Sequence, residues 1–261
     1  MYELNRVKVV KIGGNVIDNP DALSDFIDKF SRLSGPKILV HGGGKEATRM
    51  AKGLGLETTM IDGRRVTDAS MLDICTMVYA GLVNKRIVAA MQAKGIDAIG
   101  FSGADGDLIR ATRRPASPVD YGYVGDISPI DVKDSLLSKL LLSGLTPVVC
   151  AIMHDGNGQL LNCNADSVAS AVAIGISRQA KTDLIFCFEK SGVLADVNDE
   201  NSLVRMIDET VLEQMKASGS INSGMLPKID NAMHALRSGV SEVYIKSAAN
   251  LLEALGTLVI L

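Results

Sequence analysis

Five short segments hold residue types that together suit a small anion. Two glycine clusters each follow a β-branched run: Lys11-Ile12-Gly13-Gly14-Asn15, and His41-Gly42-Gly43-Gly44-Lys45 leading into a helical pattern. Glycines at such junctions let backbone N–H groups approach an anion at a helix N-terminus, where the helix dipole also favours negative charge. Gly63-Arg64-Arg65-Val66-Thr67-Asp68 sets arginines just before a helix cap, where a guanidinium can clamp a carboxylate bidentately. Asn162-Cys163-Asn164-Ala165-Asp166 brings two amides and a carboxylate to a helix start, with Asn164 the N-cap candidate. Gly224-Met225-Leu226-Pro227-Lys228 puts a lysine in the first turn of another helix, a place the dipole disfavours for a cation unless an anion is near.

Other chemistries find less support. Gly42-Gly43-Gly44-Lys45-Glu46-Ala47 formally satisfies G-x-G-x-x-A, with Asp62 further on, which keeps an NAD-dependent dehydrogenase in view. Against it, the match lies in the second strand–helix unit and its glycines form one triplet. A G-x-x-x-x-G-K-[ST] phosphate loop is absent. His41, His154 and His234 show no metal-ligand spacing and no nucleophile partner, so neither a triad nor a metal site is expected. Cys75, Cys150, Cys163 and Cys187 are scattered in apolar segments without a C-x-x-C pair, as buried reduced thiols would be.

These residues need a scaffold, and the hydrophobic pattern supplies one. Val7 to Ile12, Lys37 to His41, Ala98 to Phe101, Thr146 to Ile152, Leu184 to Phe188, Glu242 to Ile245 and Thr257 to Ile260 read as buried strands. Between them Pro20 to Leu33, Gly44 to Leu54, Asp68 to Ala93, Val132 to Ser143, Ala165 to Ile174, Glu209 to Ser218 and Leu226 to Gly239 read as helices. The alternation predicts an α/β fold, a three-layer α-β-α sandwich around a central, mainly parallel sheet. Asp68 to Ala93 is long for a globular helix, with Gly81 a possible kink, and suits an interface. Arg113 to Asp131, rich in Pro and Gly, is expected as a hairpin or loop over the sheet edge. A turn near Met153 to Gly158 divides an N-terminal lobe, residues 1–153, from a C-terminal lobe, residues 154–261.

Bulk composition sets the outer limits. The 261 residues carry 27 basic and 30 acidic side chains, a net charge of −3 that leaves no cationic surplus for a nucleic acid. With no Trp, five Tyr and five Phe, base-stacking platforms are scarce and the core must be aliphatic. Met1 to Arg6 is polar, with no signal peptide, and no run approaches the ~20 apolar residues of a membrane span. The expectation is a soluble cytoplasmic chain with no membrane partner.

Taken together and in this order, the five segments resemble the amino acid kinase family. Arg-Val-Thr and Asn-x-Asn-Ala-Asp point to its branch acting on the γ-carboxylate of an N-acylglutamate. The resemblance implies an acylglutamate-binding and dimerising N-terminal lobe, an ATP-binding C-terminal lobe, and synthesis of an acyl phosphate in arginine biosynthesis. It implies Lys11 and Lys228 at the transferring phosphoryl group with Asp166 holding them. Gly43, Gly44, Arg64, Arg65, Asn162 and Asn164 are implied to bind acylglutamate. Gly13, Gly14, Glu189, Lys190, Ser191, Gly192, Ser220, Ile221, Asn222 and Gly224 are implied to bind the nucleotide. Mg²⁺ would arrive with ATP as co-substrate.

Three departures from the family pattern qualify this. Phe188-Glu189-Lys190 stands where relatives carry Ser or Thr followed by Asp, which loosens the nucleotide assignment and leaves a non-catalytic sensing module as an alternative. Arg64 replaces an apolar residue and could pair with a second carboxylate, as in N-succinylglutamate, in place of an acetyl methyl. Only about six residues precede Val7, so the N-terminal helix of arginine-inhibited hexamers is not expected, nor is arginine feedback; a homodimer through Asp68 to Ala93 is.

Overall fold

The computed structural model describes residues 4–196, 198–218 and 225–261. One eight-stranded sheet runs in the order Met206–Ile207, Thr257–Val259, Glu242–Ser247, Lys181–Phe188, Arg6–Ile12, Lys37–His41, Thr146–Cys150, Ala98–Phe101. Every neighbouring pair is parallel except Glu242–Ser247 with Thr257–Val259. The central strands are apolar along their whole length because both faces are covered: Val9, Val10, Ile38, Leu39, Val40, Val148, Val149, Leu184 and Phe186 are fully buried. Pro20–Arg32 and Ala69–Gln92 pack together on one flank. Asp134–Leu142, Ala165–Ser177 and Leu226–Arg237 form a second group against the central strands. The alternation of strands and helices thus gives the expected layered sandwich.

Parallel strands bring their C-terminal ends to one edge, and the loops leaving them share that edge. Ile12, His41, Cys150 and Phe188 end four adjacent strands. Both glycine clusters therefore lie at the mouth of the sheet, beside Ala165–Ser177, whose N-cap Asn164 accepts hydrogen bonds from Asp166 N and Ser167 N.

Several expectations are corrected in detail. The strand anticipated from Thr146 to Ile152 stops at Cys150, and Ile152–His154 turns away to pair antiparallel with Leu160–Asn162. The Met153 to Gly158 turn is the tip of that hairpin, and it delivers Asn162 to the sheet edge. Arg113 to Asp131, by contrast, is the hairpin segment expected there, with Thr112–Arg113 paired antiparallel to Gly125–Asp126. The long helix does not break at Gly81; instead Met77–Val83 is π-helical, an expanded turn common at functional sites. By length and composition Ala69–Gln92 could cross a bilayer, unlike the earlier expectation that no segment approaches that limit. Here Met71, Ile74, Cys75, Val78, Ile87 and Met91 pack into the core, and Asp73, Lys85, Arg86 and Gln92 face outward. All four cysteines are buried and free, and burial pushes the thiols of Cys150, Cys163 and Cys187 up to about 12.

Candidate active site

Lys11, near the end of the first strand, and Lys228, in the first turn of Leu226–Arg237, meet at Asp166. Lys11 Nζ lies 2.7 Å from Asp166 Oδ1 and Lys228 Nζ 3.0 Å from Asp166 Oδ2, so each carboxylate oxygen receives one ammonium. The lysine that the helix dipole disfavours finds its nearby anion in Asp166, 62 residues away. Burial raises the Asp166 carboxyl, but Lys11 and Lys228 outweigh it and hold the group below the ordinary carboxylate range. Two cations share one anion, and the cluster keeps a positive charge.

Two cavities flank this cluster and share Lys11, Gly13 and Gly14 as their common wall. The first, about 250 Å³, is bounded by Gly43, Gly44, Arg64, Arg65, Asn162 and Asn164 together with Asp166. The six residues assigned to acylglutamate thus converge on one space. Arg65 is buried, and its Nη2 donates to Gly44 O at 2.8 Å and Thr48 Oγ1 at 2.7 Å. It has no carboxylate partner among the described residues, so this buried cation calls for an anion from outside. Asn162 Nδ2 donates to the fully buried Thr67 Oγ1 at 3.0 Å, tying the Arg-Val-Thr and Asn-x-Asn-Ala-Asp segments together.

The second cavity, about 370 Å³, is lined by Asn15, Phe188, Glu189, Lys190, Met225 and Lys228 besides the shared wall. Ser191 and Gly192 do not line it; a Cβ on Gly192 would lie 2.6 Å from both Leu203 Cδ1 and Thr257 Oγ1, so this glycine serves packing. Ser220, Ile221, Asn222 and Gly224 lie outside the described residues. Among the described residues no group of three or more His, Cys, Asp or Glu is arranged to hold a metal ion.

Sequence inspection missed Tyr79. It projects from the π-helical turn into the first cavity, and a Cβ on Gly43 would come within 2.7 Å of its Cδ1, so only glycine fits there. Burial raises the Tyr79 phenol well above its usual value, keeping a neutral hydroxyl beside Arg65 and Gly44. One tyrosine in an apolar helix carries no local signal of this role. His41, for which the sequence offers neither metal-ligand spacing nor a nucleophile partner, is fully buried, with Nδ1 2.7 Å from Gly42 O and Nε2 3.0 Å from Asn84 Nδ2. Burial pulls its pKa down to about 4, so it is a neutral strut for the glycine loop and not an acid–base group.

Residues 6–247 match the amino acid kinase family. Acetylglutamate kinase of Cytophaga hutchinsonii is 47% identical over 96% of this chain and 94% of its own length. Acetylglutamate kinase of Bacteroides thetaiotaomicron is 44% identical over 97% of each chain. In fold, N-acetylglutamate synthase from Neisseria gonorrhoeae superimposes with a TM-score of 0.80 at 20% identity, over 98% of this chain and 59% of that one. Neither a dehydrogenase nor a sensing module finds support among these relatives. With its glycine loops, its lysine pair on one aspartate and its full-length match, this chain belongs to the amino acid kinase family.

Proposed function

We propose that this chain transfers the γ-phosphoryl group of MgATP to the γ-carboxylate of an N-acylglutamate, forming an acyl phosphate in arginine biosynthesis. The observation that carries it is the Lys11–Asp166–Lys228 cluster standing between two cavities, one of which ends on the buried, carboxylate-free Arg65. N-acetylglutamate is the acceptor that the relatives' name indicates.

The chemistry needs no general base, because the acceptor carboxylate is ionised at neutral pH. Asp166 has both oxygens engaged and a lowered pKa, which suits a residue that holds cations and takes no proton. Arg65, Asn162 and the Gly43–Gly44 amides would orient acylglutamate in the first cavity. Gly13 and Gly14 would meet the phosphates, while Glu189 and Lys190 border the nucleotide. Lys11 and Lys228 would then neutralise charge spreading over the phosphoryl oxygens, the main task in such transfers. Mg²⁺ would ride on the ATP phosphates as part of that substrate. On this assignment residues 1–153 chiefly take acylglutamate and residues 154–261 take ATP.

A specific observation favours a second acyl group. Arg64 lines the same cavity as Arg65, and its guanidinium has no hydrogen-bond or ion-pair partner among the described residues. A dicarboxylic acyl group such as succinyl would supply one. A homodimer in the cytoplasm completes the proposal: Met77 on the long helix is 53% exposed and Ile99, on the unpaired edge strand, 37%. Joining two copies there would cover both and pair that edge.

The test is hydroxylamine trapping of the acyl phosphate from MgATP with N-acetyl- or N-succinylglutamate. Both the unaltered protein and Lys228→Ala are assayed, the variant losing on the order of 10²–10³ in kcat. No hydroxamate from the unaltered protein with either acceptor overturns the proposal; a clear preference for N-acetylglutamate removes the succinyl reading.

A further inference from the structure

Lys11 and Lys228 share a ring as well as a carboxylate. Phe188, the last residue of Lys181–Phe188, has its ring centroid 4.2 Å from Lys228 Nζ and 5.3 Å from Lys11 Nζ. Both lie inside the ~6 Å range at which an ammonium is drawn to the negative face of an aromatic ring. The ring is itself held in place. Phe186 stacks on it with centroids 6.1 Å apart and planes 15° apart, and Phe186 is fully buried. Phe186 sits opposite Lys11 across the parallel pair, so both rings and the lysine rise from the same face of the sheet.

Charge explains why a ring suits this place. Asp166 balances only one of the two ammoniums, and the Lys228 side chain, 25% exposed, has water within reach. A second carboxylate would hold Lys228 but cancel the positive potential that a phosphoryl group needs. A neutral ring attracts the ammonium through its quadrupole and leaves the charge intact. We propose that Phe188 is a positioning residue whose ring face, together with Asp166, fixes Lys228 and to a lesser degree Lys11 where the phosphoryl group passes. This rests on the phosphotransferase reading above.

Phe188 also lines the second cavity, so a plain apolar wall for the nucleotide is the competing role. Mono-, di- and trifluorinated phenylalanines at position 188 keep the shape while draining the ring face, which separates the two. The expected result is a stepwise fall in kcat reaching about 3- to 10-fold, with KM for acylglutamate unchanged and Phe188→Tyr retaining activity. NMR of ε-¹³C-labelled lysine, with the Lys228 signal assigned through Lys228→Arg, reads the contact without turnover. The ε-methylene protons of Lys228 are expected upfield, returning to the free-lysine position in Phe188→Leu. A flat kcat series with only KM for ATP rising assigns the wall role and overturns the proposal, as does a free-lysine shift in the unaltered protein. Failure to make acyl phosphate would instead strike the phosphotransferase reading, with the NMR shift still deciding the ring contact.

Discussion

Replacing Asp166 with Asn keeps its shape and deletes its charge, and the structure sets the size of the effect. The contacts of 2.7 and 3.0 Å are each worth about 6 kcal/mol of gross attraction at an effective dielectric near 20. Desolvation of three ionised groups opposes most of this, and breaking a buried pair by removing one partner costs about 3–5 kcal/mol net. Because Lys228 is partly open to water, the low end applies: about 3 kcal/mol, a melting shift on the order of 8 °C for a chain of this length. Acid behaviour gives an independent check. The Asp166 pKa is depressed in the folded state, so its stabilisation is complete above the ordinary carboxylate value of about 4 and is lost as pH falls through the lower folded value. Asp166→Asn should therefore flatten that part of the acid limb. Urea unfolding at pH 7 and across the acid range, on single variants and on Asp166→Asn with Lys228→Met, measures both effects. In the double variant the loss should be smaller than the sum of the singles. A single variant within about 0.5 kcal/mol of the unaltered protein, or strict additivity, would refute the clamp.

The other expectations concern the acylglutamate side. His41 is neutral in the fold with a pKa of about 4, against about 6.5 when unfolded, so stability should fall as pH drops through that interval; at pH 4.5 His41→Gln should have regained about 2–3 kcal/mol on the unaltered protein relative to pH 7, by urea unfolding. An unchanged difference would contradict its burial as a neutral strut. Arg65→Lys loses the planar guanidinium whose Nη2 holds both Gly44 O and Thr48 Oγ1, and KM for acylglutamate should rise about 10- to 100-fold in steady-state assays with a smaller change in kcat. Gly43→Ala should cost about 1–3 kcal/mol in thermal melts through its collision with Tyr79, and Tyr79→Leu in the same chain should recover part of that loss.

Much of the scaffold was legible along the chain. Lys37–His41 and Ala98–Phe101 coincide with the expected strands, and Glu209–Ser218 with the expected helix, because β-branched runs and capping residues act within a few positions of themselves. Pro20 begins its helix behind Asn19, whose side chain accepts from Asp21 N and Ala22 N, and Gly239, with φ of 104°, ends another. What went unread is short or non-local. Met60–Ile61 with Arg64–Arg65 is only two residues a side, too brief for periodicity to register.

The site divides in the same way. Glycine clusters, Arg65, Asn162, Asp166 and Lys228 stand out by residue type at strand and helix ends, so the sequence by itself determined where the candidate anion-binding groups lie along the chain and that a mainly parallel sheet carries them. Only the tertiary structure decided which groups act on one another. Asp166 meets Lys228 from 62 residues away, Thr67 meets Asn162 from 95, and Asn84 reaches His41 from 43. It also made Phe188, a departure from the family pattern when read alone, the ring beneath two ammoniums. Propensity and capping act over one or two turns of chain, whereas charge pairing, ring contact and burial act across space that only the folded sheet brings together.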